Sequence, residues 1–121
     1  MSVSSGVRPL SDREREIISR VLHAARMPGA DQLLAQLPFV QVRAGVTTFL
    51  DLEVPHTGSR ASCADGPLPV RAFVTEECGE TVGEILIWVE QGYLSGLELA
   101  WFTDEPPAGW PTPEQVQPEE T

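Results

Sequence analysis

The spacing of hydrophobic positions changes once along the chain, near residue 39: upstream they recur at helical intervals, downstream they alternate. Ile17, Ile18, Val21, Leu22 and Ala25 form one apolar stripe, flanked by Arg13, Arg15, Arg20 and Arg26, whose stems can cover its edges. Ser11-Asp12-Arg13-Glu14 reads as a capping box, with Asp12 and Glu14 at the positive end of the helix dipole. A helix is therefore predicted from Ser11 to Met27-Pro28-Gly29. A second, short helix is predicted over residues 30–37, with Leu33, Leu34 and Leu37 buried and Pro38 as its stop.

From Phe39 the period is two. Residues 39–43 and 46–54 read as strands around Ala44-Gly45, with Leu50, Leu52 and Val54 facing one way and Phe49, Asp51 and Glu53 the other. Residues 70–76 form a third strand, alternating Val70, Ala72 and Val74 with Arg71, Phe73 and Thr75, and Cys78-Gly79-Glu80 is a turn. Residues 82–89 and 93–102 make a hairpin. A two-residue turn at Gln91-Gly92 sets Ile85 opposite Glu98 and mixes the faces. A three-residue loop, Glu90-Gln91-Gly92, groups Ile85, Ile87 and Val89 with Leu97, Leu99 and Trp101 as the core side. The other side then holds Glu84, Leu86, Trp88, Leu94, Gly96, Glu98, Ala100 and Phe102. In this register Glu84 faces Glu98, a like-charge pair that needs an offset, and Arg71 has the parity to supply it.

The expected fold is α+β: two N-terminal helices packed on one face of an antiparallel sheet of four to five strands. Residues 1–10 are a flexible N-terminus, 11–102 the single domain, and 103–121 an acidic, proline-rich tail that Trp110 is expected to pin. At 121 residues one core is the natural outcome. MSVSSGVRPL lacks an apolar h-region, and no apolar run approaches the roughly 18 residues of a membrane span. With Cys63 and Cys78 as the two cysteines, this predicts a cytoplasmic protein with reduced thiols.

Charge sharpens the picture. The eight cations are all arginines, and the last is Arg71, whereas residues 72–121 hold eleven carboxylates. The second part of the chain thus carries −11 against +1 for the first, for a total of −10. Such a field argues against nucleic acid and anionic membrane and favours a basic protein partner. The outer face of the hairpin, an aromatic floor rimmed with acids and extended by Phe49, Asp51, Glu53 and Phe73, suits arginine or lysine through cation–π contact and ion pairing. The competing arrangement has the tail covering that face, with Trp110 on Trp88.

Catalytic signals are weak. Glu84 and Glu98 lack a cleft for acid–base work, and His23 lies on the solvated side of the first helix. The long loop 55–69 gathers His56, Arg60 and Cys63, with Asp65 or Cys78 as further ligands, but at no recognised zinc spacing. Thr57-Gly58-Ser59-Arg60 offers at most one glycine to an anion cradle. No metal and no cofactor are expected.

Pro28-Gly29-Ala30-Asp31-Gln32-Leu33-Leu34-Ala35-Gln36-Leu37, the stretch Glu84-Ile85-Leu86-Ile87-Trp88-Val89-Glu90-Gln91-Gly92-Tyr93-Leu94-Ser95-Gly96-Leu97-Glu98, and Thr103-Asp104-Glu105-Pro106-Pro107 together resemble a group of small, acidic, uncharacterised bacterial proteins. The resemblance spans most of residues 10–115. Relatives of this kind often carry a cysteine-rich run where this chain has Arg43-Ala44-Gly45-Val46-Thr47-Thr48, so a shared metal or redox role is not implied. The hairpin is more loosely similar to those of small toxin-immunity proteins. The expectation is a non-catalytic interaction or inhibitor module contacting a basic partner through Glu84, Trp88, Glu98, Phe102 and Arg71. The alternatives are a small-molecule-binding domain or minor enzyme using loop 55–69, and a homodimeric structural protein.

Overall fold

Local signals set the helical part. Ser11 Oγ accepts from Glu14 N at 3.1 Å, and Glu14 Oε1 accepts from Ser11 N at 2.9 Å, so the capping box closes and starts α1 (Asp12–Ala24). Glu14 also takes a two-pronged contact from Arg8, both distances 2.9 Å, which ties Arg8–Pro9 (β1) to the helix. The helix stops three residues short of Met27, with Ala25 extended. Gly29 (φ +95°) precedes α2 (Ala30–Gln36), and Pro38 lies inside a 3-10 turn, Leu37–Phe39, that continues it. The missing N–H of proline costs little at the start of such a turn.

The computed structural model describes residues 7–46, 48–55, 60–105, 107 and 109–119. The further strands are β2 (Gln41–Val46), β3 (Phe49–Glu53), β4 (Gly66–Pro67), β5 (Ala72–Thr75), β6 (Thr81–Glu90), β7 (Tyr93–Trp101) and β8 (Val116–Pro118). They form one antiparallel sheet in the order β1-β2-β3-β7-β6-β5-β8, with β4 also pairing β6. The protein is thus α+β, with an antiparallel sheet and, among the described residues, two α-helices. The described residues form eight strands where the sequence suggests four to five. The three additional ones are two or three residues long, too short to show an alternation, and each joins an edge left open by a longer neighbour. Among the described residues no helix is long and apolar enough to cross a membrane.

Two irregularities set the faces. Ala44-Gly45 is not a turn: β2 runs through it, and a bulge at Arg43 shifts the register between Val42 and Ala44. The last hairpin turns through two residues, Gln91 (φ 55°) and Gly92 (φ 83°), not three. A Cβ on Gly92 would stand 2.7 Å from Ala61 O, so only glycine fits. Val89 pairs Leu94, Ser95 is then bulged, and Trp88 pairs Gly96. That extra residue restores the grouping of Ile85 and Ile87 with Leu97 and Leu99, but shifts every pair from the expected register. Glu84 lies opposite Ala100 and Glu98 opposite Leu86, so the expected Glu84–Glu98 pair does not form. Leu94, on the tip side of the bulge, is turned into the core at 1 % exposure, and Trp101, expected in the core, is 40 % exposed at the strand's end.

The core joins Ile17, Ile18, Leu22 and Leu33 of the helices to Leu50, Leu52, Ile85, Ile87, Leu97 and Leu99 of one sheet face. The tail closes that same side. Arg13 Nη1 donates to Trp110 O at 3.2 Å and Arg20 Nε to Val116 O at 2.7 Å, while β8 pairs β5 and Val116 is fully buried. Trp110 therefore packs against the core, and the expected contact of Trp110 on Trp88 is overturned. Helix arginines satisfy the tail carbonyls, and the open edge of β5 satisfies the β8 backbone.

Candidate interaction face

With helices and tail on one side, the other face of the sheet presents three cross-strand rows. The first runs Ala44, Asp51, Gly96, Trp88, Pro67; the second Val46, Phe49, Glu98, Leu86; the third Ala100, Glu84, Phe73, Gln117. Strand pleating places these together, because the residues between them along each strand are the core positions.

Gly96 is the slot that brings the aromatics together. A Cβ there would lie 3.0 Å from Phe49 Cζ and 3.3 Å from Trp88 Cβ. Trp88 Nε1 donates to Glu98 Oε1 at 2.9 Å, which fixes the indole and spends one carboxylate oxygen. Arg71, just before β5, donates to both oxygens of Glu84 at 3.1 Å, and its guanidinium stands 4.9 Å from the Phe73 ring centre. The hydrogen bond and charge of Glu84 raise the Arg71 pKa, so the cation is permanent. The face thus sets Asp51, Glu53, Glu84 and Glu98 against two guanidiniums, that of Arg71 on Glu84 and that of Arg43, 3.6 Å from Glu53. Phe102, 56 % exposed, follows β7 and donates its N–H to Val82 O at 2.9 Å.

The loop candidates are not gathered into a comparable site. His56 lies outside the described residues, as do Thr57, Gly58 and Ser59. Arg60 is exposed. Cys63 packs against the core, and burial together with the charge of Asp65 raises its pKa, the opposite of what a nucleophile or ligand thiolate needs. The loop instead braces the hairpin tip: Ala61 N donates to Gly92 O at 2.8 Å, and Asp65 Oδ1 accepts from Gln91 N at 2.8 Å. Cys78 is exposed in the turn after β5, with its sulfur and carboxylate oxygens of Glu76 and Glu80 within 4.8 Å of one another.

One structural residue is easy to miss in the sequence. Gln36, 3 % exposed, donates from Nε2 to Gly92 O at 2.8 Å and accepts from Leu94 N at 3.0 Å, so α2 holds the tip in place. Its sequence signal is a polar residue between Leu33 and Leu37 on the buried side of a helix. Comparison with protein-family models, curated proteins and solved structures gives no match.

Proposed function

We propose that the protein is a non-catalytic interaction module, of the inhibitor or immunity kind, whose open sheet face takes an arginine- or lysine-rich segment of a partner protein. The observation that carries this reading is the floor of Phe49, Trp88 and Phe73 interleaved with Asp51, Glu84 and Glu98, on the face opposite the helices and the tail. An aromatic face attracts a cation through its quadrupole, and a carboxylate at the ring edge adds a charge-assisted bond. Glu98 keeps one oxygen beyond the Trp88 contact, and Asp51 enters none of the four ion pairs among the described residues. Edge-to-edge dimerisation is less favoured, because the outermost strands are short and carry Pro9 and Pro118.

The test is affinity capture from bacterial cytosol with wild type and with the double variant Glu84→Arg, Glu98→Arg, both checked for native circular dichroism. The expected result is a basic protein that is retained by wild type, released by salt and lost from the variant. Identical partners on both proteins would overturn the proposal.

A further inference from the structure

A second site is built on the opposite side of the sheet, where the tail bridges the ends of the core strands. The cleft there encloses about 230 Å³, and its lining includes Val74, Leu99, Trp101, Trp110 and Glu76. We propose that this cleft binds the guanidinium of an arginine side chain. The inference does not depend on the open-face reading, because the two surfaces share no residue.

The chemistry of the lining selects the ligand. Thr103 Oγ1 is spent on Glu105 O at 2.8 Å, and Gln115 is spent on Thr112 N at 2.9 Å and Thr75 O at 3.4 Å. Glu76 is different: it enters none of the ion pairs among the described residues, and its carboxylate stands within 4.8 Å of that of Glu80. Two like charges at that separation are relieved by a cation and worsened by an anion. Trp101 and Trp110 share the lining with Glu76, and tryptophan is the strongest aromatic for cation–π attraction. Among biological cations, guanidinium is planar, weakly hydrated and forked to match a carboxylate, so it can stack on indole while donating to Glu76. The apolar wall at Val74 and Leu99 suits the methylene stem.

The experiment follows the three indole N–H signals of ¹⁵N-labelled full-length protein by NMR, assigned with Trp88→Phe, Trp101→Phe and Trp110→Phe. The probe is N-acetyl-arginine amide, with the lysine and the uncharged citrulline analogues as comparison arms. The Trp101 and Trp110 signals are expected to move together, with a Kd of about 1 mM, as befits one side chain. Glu76→Gln weakens binding about tenfold, and citrulline binds at least about tenfold more weakly than arginine. The lysine arm falls between them, whereas lysine equal to arginine would overturn the guanidinium assignment. Glu84→Arg with Glu98→Arg leaves this titration unchanged, which separates its failure from failure of the open face. Absence of a saturable shift in the millimolar range, equal binding of citrulline, or indifference to Glu76→Gln would overturn the proposal.

Discussion

Replacing Gln36 by leucine tests whether the position of the terminal hairpin depends on a single buried amide. Gln36 spans α2 and the tip through Gly92 O and Leu94 N, at 2.8 and 3.0 Å. After Gln36→Leu the Gly92 carbonyl still accepts from Ala61 N at 2.8 Å, so it keeps a partner. The Leu94 amide loses the Gln36 acceptor, beside a side chain only 1 % exposed. Two hydrogen bonds at about 1 kcal/mol each, plus about 2 kcal/mol for a buried donor left unmet, set the gross loss. Burial of the added apolar surface returns about 1–2 kcal/mol. The net expectation is a destabilisation of about 2–3 kcal/mol, or a fall of about 10 °C in Tm for a chain of this size. Urea unfolding followed by circular dichroism measures it, with the exposed Gln32→Leu on the same helix as a control that stays within about 0.5 kcal/mol of wild type. Hydrogen exchange adds a local readout, since Leu94 N–H should lose protection before the rest of β7. A Gln36→Leu variant as stable as the control, or an unchanged Leu94 exchange rate, would refute the argument.

Gln91 occupies the left-handed region at φ 55° ahead of Gly92, where asparagine is more at ease, so Gln91→Asn should gain about 0.5–1 kcal/mol in the same assay; no gain would contradict the two-residue turn. Burial opposes the charge of Glu14, but Arg8 and the Ser11 amide outweigh it and hold the carboxyl below its usual value. A depressed folded-state pKa gives stabilisation that is present above the unfolded value of about 4.3 and lost as pH falls through the lower folded value. Glu14→Gln should therefore flatten the acid limb of a Tm-against-pH profile, and an unchanged limb would count against the pair.

What could be read from the sequence follows from how local each cause is. The first helix was legible because its capping box and its stripe are close together in the sequence, from Ser11 to Ala25. The faces of the hairpin between Ile85 and Leu99 were legible because period two is a local property, whereas Leu94 on the tip side of the bulge and Trp101 at the strand's end fell on the other side of the expectation. Its register was not. A three-residue loop and a two-residue turn followed by a bulge at Ser95 give the same parity, so Ile85 groups with Leu97 either way, whereas the partner of Glu84 differs. The one local mark of the bulge is Gly96 beside Ser95, which by itself does not say where the register shifts; the Gln36 contact to Leu94, on the tip side, is remote in sequence. The tail was least legible. β8 is three residues long, and the hydrogen bond from Arg20 to Val116 spans 96 positions. The face proposed for binding was therefore visible as a set of residues before its pairings were.

The arginines also explain why an acidic chain presents an acidic face and not a patchwork of both signs. Six of the eight are committed internally: Arg8 to Glu14, Arg13 and Arg20 to tail carbonyls, Arg15 to Asp12, Arg43 to Glu53 and Arg71 to Glu84. Two of those bonds neutralise nothing, since Arg13 and Arg20 donate to backbone carbonyls, and they hold the tail on the core side. Had the tail crossed the other way, Trp110 would have covered Trp88 and taken the aromatic floor out of reach. Helix cations thus do two things at once: they fix an acidic segment against the core, and by doing so they leave the opposite face open. On the open face the uncompensated charge is carboxylate, and complementarity of that kind acts chiefly on encounter rate and on the rejection of acidic partners. The specificity of the open face then rests on the uncharged part of the surface, the spacing of Phe49, Trp88 and Phe73 set by Gly96 and the strand registers.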